Sequence, residues 1–443
     1  MSSEWKNFTF DQLKASSKSA FAMGPFGSNI KAENFVTAGV PVIKGGNLNG
    51  TYLTDSFSDF LCQEKADELA SSKARPLDLV ITHRGTLGQV GLIPENSNFP
   101  EYIVSQSQLK LSFDRKLVDP YFIYYFLLSP LGQQRLLANK SQVGVPAIAQ
   151  ALTTVRQIEI NLPSLNLQNE ISKVLRALDD RITLLRETNK TLESIAQAIF
   201  KSWFVDFDPV RAKMEGRQPE GMDEETAALF PDSFEESELG FIPKGWVNGQ
   251  LGDVAVLNRS AVPVENFNES IVYVGLEHIP RKELSLTSWG TAAGLESTKT
   301  AFSINDILFG KLRPYFHKVV LAPVDGICST DILVCKPKQA ASHSFVTLHL
   351  FSDALVTYAD RLSNGAKMPR INWKDLAAYP ITIPTKMVAS HFNMTTQPLF
   401  ERMRANIFQI NTLANLRDTL LPRLISGQLR LPEAQEQVED ALS

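Results

Sequence analysis

The densest group of basic and aromatic side chains in the sequence lies between Gly310 and Lys318, in the run Gly-Lys-Leu-Arg-Pro-Tyr-Phe-His-Lys. Lys311, Arg313 and Tyr315 alternate along this run, which predicts that they share one face of a strand. Lys and Arg donate hydrogen bonds to guanine edges and to phosphates, so the pattern favours contact with a nucleic acid, with Lys318 included among the candidates. The alternative is a solvated strand without a ligand.

Lys367 and Arg370 form a second basic group in the same half of the chain, in the run Asn-Gly-Ala-Lys-Met-Pro-Arg. Cations on such loops contact phosphates in protein–DNA complexes and thereby fix the position of the protein on the duplex. The alternative is a turn that leads into a strand ending at Pro384.

Similar candidates occur in the N-terminal half, on loops that follow predicted strands. The run Thr-His-Arg-Gly-Thr places Arg84 beside Gly85, and a glycine allows another molecule to approach the backbone closely. Residues 24–29 form a further polar loop that could lie on phosphate. The alternatives are a surface ion pair for Arg84, a turn role for Asn47 and burial of residues 105–108. The residues of these loops that we predict to contact DNA are Lys44, Asn47, Arg84, Gly85, Ser105 and Gln106.

The sequence contains no recognised catalytic motif. It lacks the Asn-Pro-Pro-aromatic run of amino-methyltransferases, the Gly-Lys-Ser/Thr loop of nucleotide-binding proteins and the His-Glu-x-x-His zinc motif. The six histidines are scattered, and Cys62, Cys328 and Cys335 have no metal-site spacing, so we expect reduced thiols. These features favour a binding protein with no catalytic, cofactor or metal site of its own.

Composition indicates a globular chain with several domains. Of the 443 residues, 44% are hydrophobic and 21% are charged. No run of roughly eighteen apolar residues and no N-terminal targeting signal is present, so we expect a cytoplasmic protein without membrane contact. The formal net charge of -4 argues against a sequence-independent polyanion binder.

The acidic residues are concentrated in the middle of the chain. Counting Lys and Arg against Asp and Glu gives -7 for residues 166–240, +1 for residues 1–165 and +3 for residues 241–386. The two flanking blocks therefore remain able to approach an anion.

The element that must position these loops is a long helix, predicted from about Gln168 to Phe204. Its apolar positions alternate in steps of four and three residues, which is the heptad spacing of a coiled coil. At about 1.5 Å per residue the helix would be roughly 55 Å long, which suits a spacer. Asn189 lies on the apolar seam, where a polar group fixes register. The alternative is an amphipathic helix on a larger core. The predicted seam consists of Ile171, Leu175, Leu178, Ile182, Leu185, Asn189, Leu192 and Ile199.

The pattern then repeats. Gly144 and Pro163 correspond to Gly365 and Pro384, both displaced by 221 residues, and Arg84 is expected to correspond to Arg313. A second long helix follows where the repeat predicts it, so we expect two mixed α/β blocks and two long helices paired antiparallel, with an approximate internal two-fold axis. The second helix has a less regular predicted seam of Met403, Ile407, Ile410, Leu413 and Leu420.

Three segments resemble a known family. Residues 196–210 are similar to the end of the central conserved helix of type I restriction-modification specificity subunits. Residues 239–246 resemble the entry into their second target recognition domain, and residues 416–429 resemble the end of their second conserved helix. The resemblance covers the whole chain, and it is strong in the helices and weak in the two blocks.

The resemblance implies a subunit that selects the DNA sequence and performs no chemistry. Each target recognition domain would read half of a bipartite site in double-stranded DNA. Two methyltransferase subunits would dock on the helices, and two restriction/translocase subunits can join them. S-adenosylmethionine, ATP and Mg would belong to those partners. The implied domains are 1–165 and 241–386 for recognition, 166–205 and 387–427 for the spacer helices, 206–240 for an acidic connector and 428–443 for a tail.

Two other classes of protein fit part of the pattern. A stand-alone sequence-specific regulator would also carry two reading blocks, but it would bind DNA without partner subunits. A coiled-coil scaffold would explain the helices but not the repeated basic loops. Co-purification with a methyltransferase distinguishes the first alternative.

Overall fold

The computed structural model describes residues 5–48, 52–53, 57–141, 144–238, 240–365 and 367–442. Leu239, the first residue of one family-like motif, lies outside them. The chain divides into two compact units, unit 1 (Met1–Thr183 with Thr412–Ser443) and unit 2 (Leu184–Asn411). We refer to residues 5–162 as the first head and to residues 247–383 as the second head.

Unit 1 is a mixed α/β unit. Its strands are β1 (Lys6–Thr9), β2 (Phe21–Met23), β3 (Phe35–Val36), β4 (Val40–Ile43), β5 (Phe60–Leu61), β6 (Lys73–Ala74), β7 (Leu79–Thr82), β8 (Val90–Leu92), β9 (Tyr102–Val104), β10 (Gln108–Leu111), β11 (Lys140–Ser141), β12 (Ala147–Ile148) and β13 (Glu159–Leu162). Its short helices are α1 (Phe10–Leu13), α2 (Gln63–Glu68), α3 (Pro120–Leu128), α4 (Pro130–Leu136) and α5 (Ala151–Arg156).

Two sheets form the centre of the first head. One has the strand order β2-β10-β7-β8 and the other the order β3-β5-β4-β9-β6, with β4 and β9 parallel. Strand β7 reads Leu-Val-Ile-Thr and is buried along its whole length, as expected for a central strand covered on both faces. The β1–β13 pair brings the start and the end of the head together.

Two long helices follow the heads, α6 (Leu165–Phe204) after β13 and α13 (Lys386–Ile425) in the C-terminal part of the chain. Between them lie α7 (Asp208–Met214), α8 (Glu224–Ala228), β14 (Phe234–Ser237), β15 (Gly240–Pro243), β16 (Val247–Gln250), α9 (Leu251–Val254), β17 (Ala255–Asn258), β18 (Ala261–Val262), β19 (Val272–Val274), β20 (Gly290–Thr291), β21 (Lys299–Phe302), β22 (Ile307–Gly310), β23 (Val319–Leu321), β24 (Gly326–Cys328), β25 (Ile332–Pro337), α10 (His343–Phe351), α11 (Asp353–Leu362), α12 (Trp373–Ala377) and β26 (Pro380–Ile383), and α14 (Leu431–Leu442) ends the described chain.

The second head repeats the sheet order of the first. Its central sheet is β17-β25-β22-β23, which matches β2-β10-β7-β8 strand for strand. The other sheet is β20-β19-β24-β21-β18, in which β19 and β24 are parallel as β4 and β9 are. The outer strand differs, because β3 extends that sheet beside β5 whereas β18 extends it beside β21. The predicted internal repeat of two α/β blocks is confirmed.

The long helices α6 and α13 each contain 40 residues. In unit 2, Asn189 contacts Asn406 while Trp203 packs against Phe392, so the residue numbers run in opposite directions along the two helices. The predicted antiparallel coiled coil is confirmed. Strand β13 ends at Leu162 and strand β26 ends at Ile383, so each long helix begins three residues after the strand that precedes it.

The predicted seam positions face the interior to different degrees. On α6 those from Ile171 to Asn189 are at most 3% exposed, whereas Leu192 and Ile199 are half-buried. Glu193 and Phe200, one position further on, are buried instead. A straight helix with 3.6 residues per turn drifts from a heptad pattern by about 20° per heptad, which accounts for the shift. Every predicted seam residue of α13 is buried.

The segment between α6 and the second head is folded rather than extended. It contains α7, α8 and the β14–β15 hairpin, and its Val210 and Phe230 belong to the main core of unit 2. Phe230 packs edge-to-face on Trp203 at a centroid distance of 5.0 Å. None of the helices formed by the described residues is long and apolar enough to cross a membrane.

Candidate nucleic-acid interface

The first candidate loop of the first head follows β4. The backbone N–H of Lys44 donates to Asn47 Oδ1 at 2.9 Å, and the N–H of Asn47 donates back to the Lys44 carbonyl at 2.9 Å. This reciprocal pair is a tight turn of the kind that Asn favours. The Lys44 ammonium lies 2.9 Å from Asp59 and 5.1 Å from the Phe35 ring centroid, so both candidate residues also have local structural roles.

The second candidate loop follows β7. Arg84 is exposed, and among the described residues it makes no ion pair. Gly85 has a φ of 97°, which glycine adopts without strain, and its N–H donates to Pro146 O at 2.8 Å. The N–H of Ile148 donates to the His83 carbonyl at 2.9 Å, so the loop is fixed against the β11–β12 hairpin with the guanidinium outside.

The third candidate loop connects β9 and β10. The Ser105 N–H donates to Ile43 O at 2.9 Å, which places this loop beside the first one. Gln106 is exposed, whereas Ser105 is half-buried. The 24–29 loop packs here, because a Cβ on Gly24 would lie 1.9 Å from Ser105 O. That close approach requires glycine at position 24.

A chain of side-chain hydrogen bonds joins the three loops. Gln89 Nε2 donates to Gly45 O at 3.2 Å, and Gln89 Oε1 accepts from Thr82 Oγ1 at 3.0 Å. Thr82 Oγ1 accepts from Gln108 Nε2 at 3.3 Å, and Gln108 Oε1 accepts from the Ser105 hydroxyl. Thr82 and Gln108 are 2% and 1% exposed, so this network is internal and positions the loops rather than contacting a ligand. No pattern in the sequence had predicted this network.

The same loop geometry recurs in the second head with different residues. The Arg313 N–H donates to Pro369 O at 2.7 Å, as that of Gly85 does to Pro146, and the N–H of Ile371 donates to Lys311 O at 3.1 Å. Leu312 and Arg370 form the isolated bridge that corresponds to Arg84 and Ala147. Arg313 therefore occupies the position of Gly85. The predicted correspondence of Arg84 with Arg313 is wrong by one residue.

The backbone turns sharply at Arg313. Strand β22 ends at Gly310, Arg313 has a φ of 50°, and residues Pro314–Phe316 form a 3₁₀ turn. The expectation that Lys311, Arg313 and Tyr315 share one strand face is therefore wrong. A left-handed conformation costs a residue with a side chain about 1–2 kcal/mol, and such strain is concentrated at functional positions.

The basic residues of this region lie around one turn. Arg313 Nη2 donates to Lys367 O at 3.2 Å, and Arg370 Nε lies 3.1 Å from Asp331. Lys367 and Arg370 are exposed, Tyr315 is 51% exposed, and Lys311 and Arg313 are half-buried. The structure thus brings five of the six second-head candidates together, with one carboxylate partly compensating their charge.

Lys318 is the sixth candidate and has a different environment. Its side chain is half-buried, and its ammonium donates to Leu276 O. Burial, together with the nearby Arg281 charge, lowers the pKa of Lys318 below that of a free lysine. The charge of Lys318 is therefore directed into the head.

The loop that follows β19 was not among the candidates predicted from the sequence. The Gly275 N–H donates to His278 Nδ1 at 2.9 Å, which reproduces the bond from Lys44 N–H to Asn47 Oδ1. In both heads the strand before this loop pairs in parallel with the strand before the Ser105 or Ser329 turn. The only signal in the sequence is the shared order of strand, glycine and polar residue.

Two cysteines and His83 in the heads have environments set by burial. Burial raises the pKa of the Cys328 thiol to about 12, and it also raises the pKa of the Cys335 thiol. Burial also lowers the pKa of His83, whose Nε2 donates to Gln106 O at 3.1 Å. Within the described ranges no group of three His, Cys, Asp or Glu residues could hold a metal ion. The chemistry of the surface is hydrogen bonding and charge.

Comparison with known proteins identifies the family. The profile described as type I restriction modification DNA specificity domain matches residues 25–194 and 243–388. The chain is 24% identical to the HindI specificity subunit of Haemophilus influenzae, with 75% of this chain and 83% of that protein covered. It is 28% identical to the MjaIX specificity subunit of Methanocaldococcus jannaschii, with 63% of each covered.

The fold has a counterpart among solved structures. The specificity subunit of the type I restriction-modification system from M. genitalium superimposes with a TM-score of 0.56 at 15% identity and 96% coverage of both chains. The two profile matches cover most of the first head and all of the second, and together they span more than half of the chain. This protein therefore belongs to the specificity subunits of type I restriction-modification systems, the DNA-recognition rather than catalytic components of those complexes.

Proposed function

We propose that this chain reads a bipartite DNA site, with one half-site bound by each head. The recognition domains would comprise residues 1–165 and 241–386, and the acidic connector 206–240 would link them. The observation that carries this proposal is the shared loop geometry of the heads with different side chains at equivalent places, such as Gly85 and Arg313. Equal scaffolds with different contact groups suit two half-sites of different sequence.

In this proposal the spacer helices, residues 166–205 and 387–427, set the unread distance between the half-sites and dock two methyltransferase subunits. The tail 428–443 ends the second helix region. Support comes from the length of the helices, since 40 residues correspond to about 60 Å, close to two turns of DNA. S-adenosylmethionine, ATP and Mg would act in the methyltransferase and restriction subunits.

The candidate residues fall into two roles. Arg84, Gln106 and Arg313 would contact bases, because they project from loops fixed by backbone hydrogen bonds. Phosphate contact would fall to the exposed or half-buried cations beside them. Asn47, Gly85 and Ser105 would shape the loops of the first head, and Tyr315 would pack against the DNA backbone in the second. The cations assigned to phosphate are Lys44, Lys311, Lys367 and Arg370.

The test is footprinting of the complex assembled with its methyltransferase subunits, using Arg313→Gly. Glycine removes the side chain and accepts the φ of 50°, so the loop keeps its path. We expect loss of protection over one half-site, equivalent to roughly 1–3 kcal/mol for a bidentate base contact. The control is Arg259→Ala on the same head, because Arg259 is exposed whereas Arg361 lies in a helix that glycine would destabilise. Unchanged protection by Arg313→Gly would remove Arg313 from the base-contacting set.

The stand-alone regulator makes a different prediction. With a net charge of -4, the purified chain alone should bind DNA weakly, and addition of methyltransferase subunits should produce specific binding. Gel-shift titration at fixed salt with random and selected DNA measures both. Tight specific binding by the chain alone would favour the regulator.

A further inference from the structure

We propose that Glu277 is a base-contacting residue of the second head and that it selects a base with an exocyclic amino group, cytosine N4 or adenine N6. This inference rests on the proposed reading of one half-site by each head. It also assigns Lys318 as a positioning residue for the loop that carries Glu277.

The position of Glu277 follows from the correspondence of two loops. Residues 275–278 follow β19 as residues 44–47 follow β4, and each loop is closed by a bond from its first N–H to its fourth side chain at 2.9 Å. By this register Glu277 corresponds to Gly46. A Cβ on Gly46 would have no atom within 4 Å, so the equivalent place in the first head is open.

The same register places Glu277 at the candidate interface. The Ser329 N–H donates to Val274 O at 2.9 Å, as that of Ser105 does to Ile43, and the Lys311 N–H donates to Asp331 O at 2.9 Å. The 275–278 loop, the Ser329 turn and the Lys311 loop therefore adjoin one another in the second head, as their counterparts do in the first.

The carboxylate of Glu277 is exposed and lies over its own loop. Its side chain is 67% exposed, and both carboxylate oxygens lie within 2.3 Å of the place a Cβ on Gly275 would occupy. Glycine at position 275 leaves room for the carboxylate at this place, and a side chain there would displace it. Within the described residues the nearest basic side chain is His278, with Nδ1 4.0 Å away, and that nitrogen already accepts from the Gly275 N–H. The carboxylate is therefore available to a ligand.

The charge of Glu277 restricts which ligand it can accept. A carboxylate repels phosphates and also repels the acceptor atoms guanine O6 and thymine O4. Cytosine N4 and adenine N6 are the amino donors exposed in the major groove. A carboxylate at this surface therefore selects for an amino group and against the other two bases.

Lys318 holds the 275–278 loop in place through hydrogen bonds. Its ammonium donates to Leu276 O, and its carbonyl accepts from the Gly310 N–H at 2.8 Å. In the first head Gln89 makes the corresponding pair of bonds, to Gly45 O at 3.2 Å and from the Thr82 N–H at 3.0 Å. Gln89 and Lys318 thus hold equivalent loops through equivalent atoms, with an uncharged and a charged donor.

The test of Glu277 compares the wild-type complex with Glu277→Ala and Glu277→Gln on DNA panels in which each position of both half-sites is varied. We expect Glu277→Ala to raise methylation of sites with guanine or thymine at one position of the second half-site by roughly tenfold relative to the original base. Glu277→Gln keeps one acceptor and should retain the original preference in part. The first half-site should not change with either variant.

Two failures are distinguishable. If the wild-type complex shows no bipartite preference, the proposed function itself is wrong. If the preference is bipartite and Glu277→Ala leaves every position unchanged, only the role of Glu277 is overturned. Thermal unfolding of each variant shows whether the loop change has unfolded the head, and Glu277→Gln provides the isosteric control.

Lys318 is tested by Lys318→Gln, which installs the first-head residue, and by Lys318→Ala. As a positioning residue, Lys318→Gln should keep both the base preference and the salt dependence of DNA binding, whereas Lys318→Ala should weaken binding to the second half-site. A direct phosphate contact would instead lower the salt slope by roughly 0.9 in both variants. That result would overturn the positioning role.

Discussion

The two heads have the same strand order but differ at the residues that end their central strands. In the first head, Thr82 and Gln108 face each other there and belong to an uncharged hydrogen-bond network. In the second head, the facing pair is Gly310 and Ile332, which have no polar side chains. In place of the network, the charged Lys318 side chain donates one hydrogen bond to Leu276 O. The scaffold of each head is therefore set by backbone pairing, and the side chains at its loops can vary around it.

The helix pair shows a similar contrast between its two halves. In unit 1, the buried Asp179 accepts from Arg417 and from the Tyr125 hydroxyl, both at 2.7 Å. In unit 2, Asn406 donates to Asn189 Oδ1 at 2.8 Å, and Asn189 donates to Met403 O at 3.1 Å. One half is specified by an ion pair and the other by neutral amides, so the two halves should respond differently to substitution.

The largest expected effect is that of Asp179→Ala. The variant removes the carboxylate acceptor of the Tyr125 hydroxyl, which keeps its 3.2 Å contact with the Tyr52 hydroxyl, and it leaves Arg417 with its surface partner Asp418. We therefore expect a loss of roughly 3 kcal/mol in the free energy of unfolding. Asn189→Ala, which removes neutral hydrogen bonds, should cost about 1–2 kcal/mol. Urea denaturation compares the two, with Thr191→Ala at an exposed position of the same helix as a control. Equal losses would show that the contrast has no energetic meaning.

A pH effect of similar size is expected at Glu193, whose side chain accepts from the Leu284 N–H at 2.7 Å. Burial raises the pKa of Glu193 to about 7, above the value of an unfolded chain. The folded state therefore favours the protonated acid, and the stability this contributes is lost as the pH rises from about 4.5 through 7. The change should approach about 3 kcal/mol.

The measurement is the unfolding free energy of wild type and Glu193→Gln between pH 5 and pH 8. The wild type should lose stability over this window, and the variant, which cannot ionise, should lose less. Parallel curves for the two proteins would contradict the assignment. Glu187→Gln is the exposed control on the same helix.

A smaller effect compares the equivalent positions Gly85 and Arg313. Gly85→Ala forces a side chain into a φ of 97° and should destabilise the first head by about 1 kcal/mol. Arg313→Gly removes the strain of a side chain at a φ of 50° and should be neutral or slightly stabilising, because the entropy cost of glycine offsets part of the gain. Thermal unfolding of the two variants measures whether each substitution raises or lowers the stability. Destabilisation by both variants would argue that the Arg313 side chain itself stabilises the loop.

The smallest expected effect is at Lys44. Lys44→Ala removes one cation from the first-head loop and should reduce the salt slope of DNA binding by roughly 0.9 without changing the preferred bases. Lys6→Ala, which lies on β1 rather than on the candidate loops, is the control. An altered base preference would mean that Lys44 contacts a base.

Much of this architecture could be predicted from sequence because its signals are local. Heptad spacing predicted a helix from about Gln168 to Phe204, and in the structure this helix begins at Leu165 and ends at Phe204. The 221-residue displacement located the second helix, although Pro398 lies within it and removes one backbone hydrogen bond. Periodicity and repetition depend on neighbours along the chain, so they remain visible without coordinates.

The fine geometry of the site was not visible in the same way. The two heads carry their arginines at different positions of an equally spaced turn, since Gly85 and Arg313 each lie three residues after a strand that ends at Thr82 or Gly310. Only the hydrogen bonds reveal this one-residue offset. The left-handed conformation of Arg313 has no sequence signal, since glycine marks the same place in the first head. The connector also gave no sign of burial, because its core residues are few and its charge is high. Long-range pairing decides these features.

The most direct test of two reading heads on one chain is single-molecule methylation sequencing of a host strain that carries this subunit with its methyltransferase. We predict methylated sites made of two short half-sites separated by a gap of fixed length and random sequence. Arg84→Ala should alter one half-site and Arg313→Gly the other. A single uninterrupted motif, or the same half-site altered by both variants, would contradict the account.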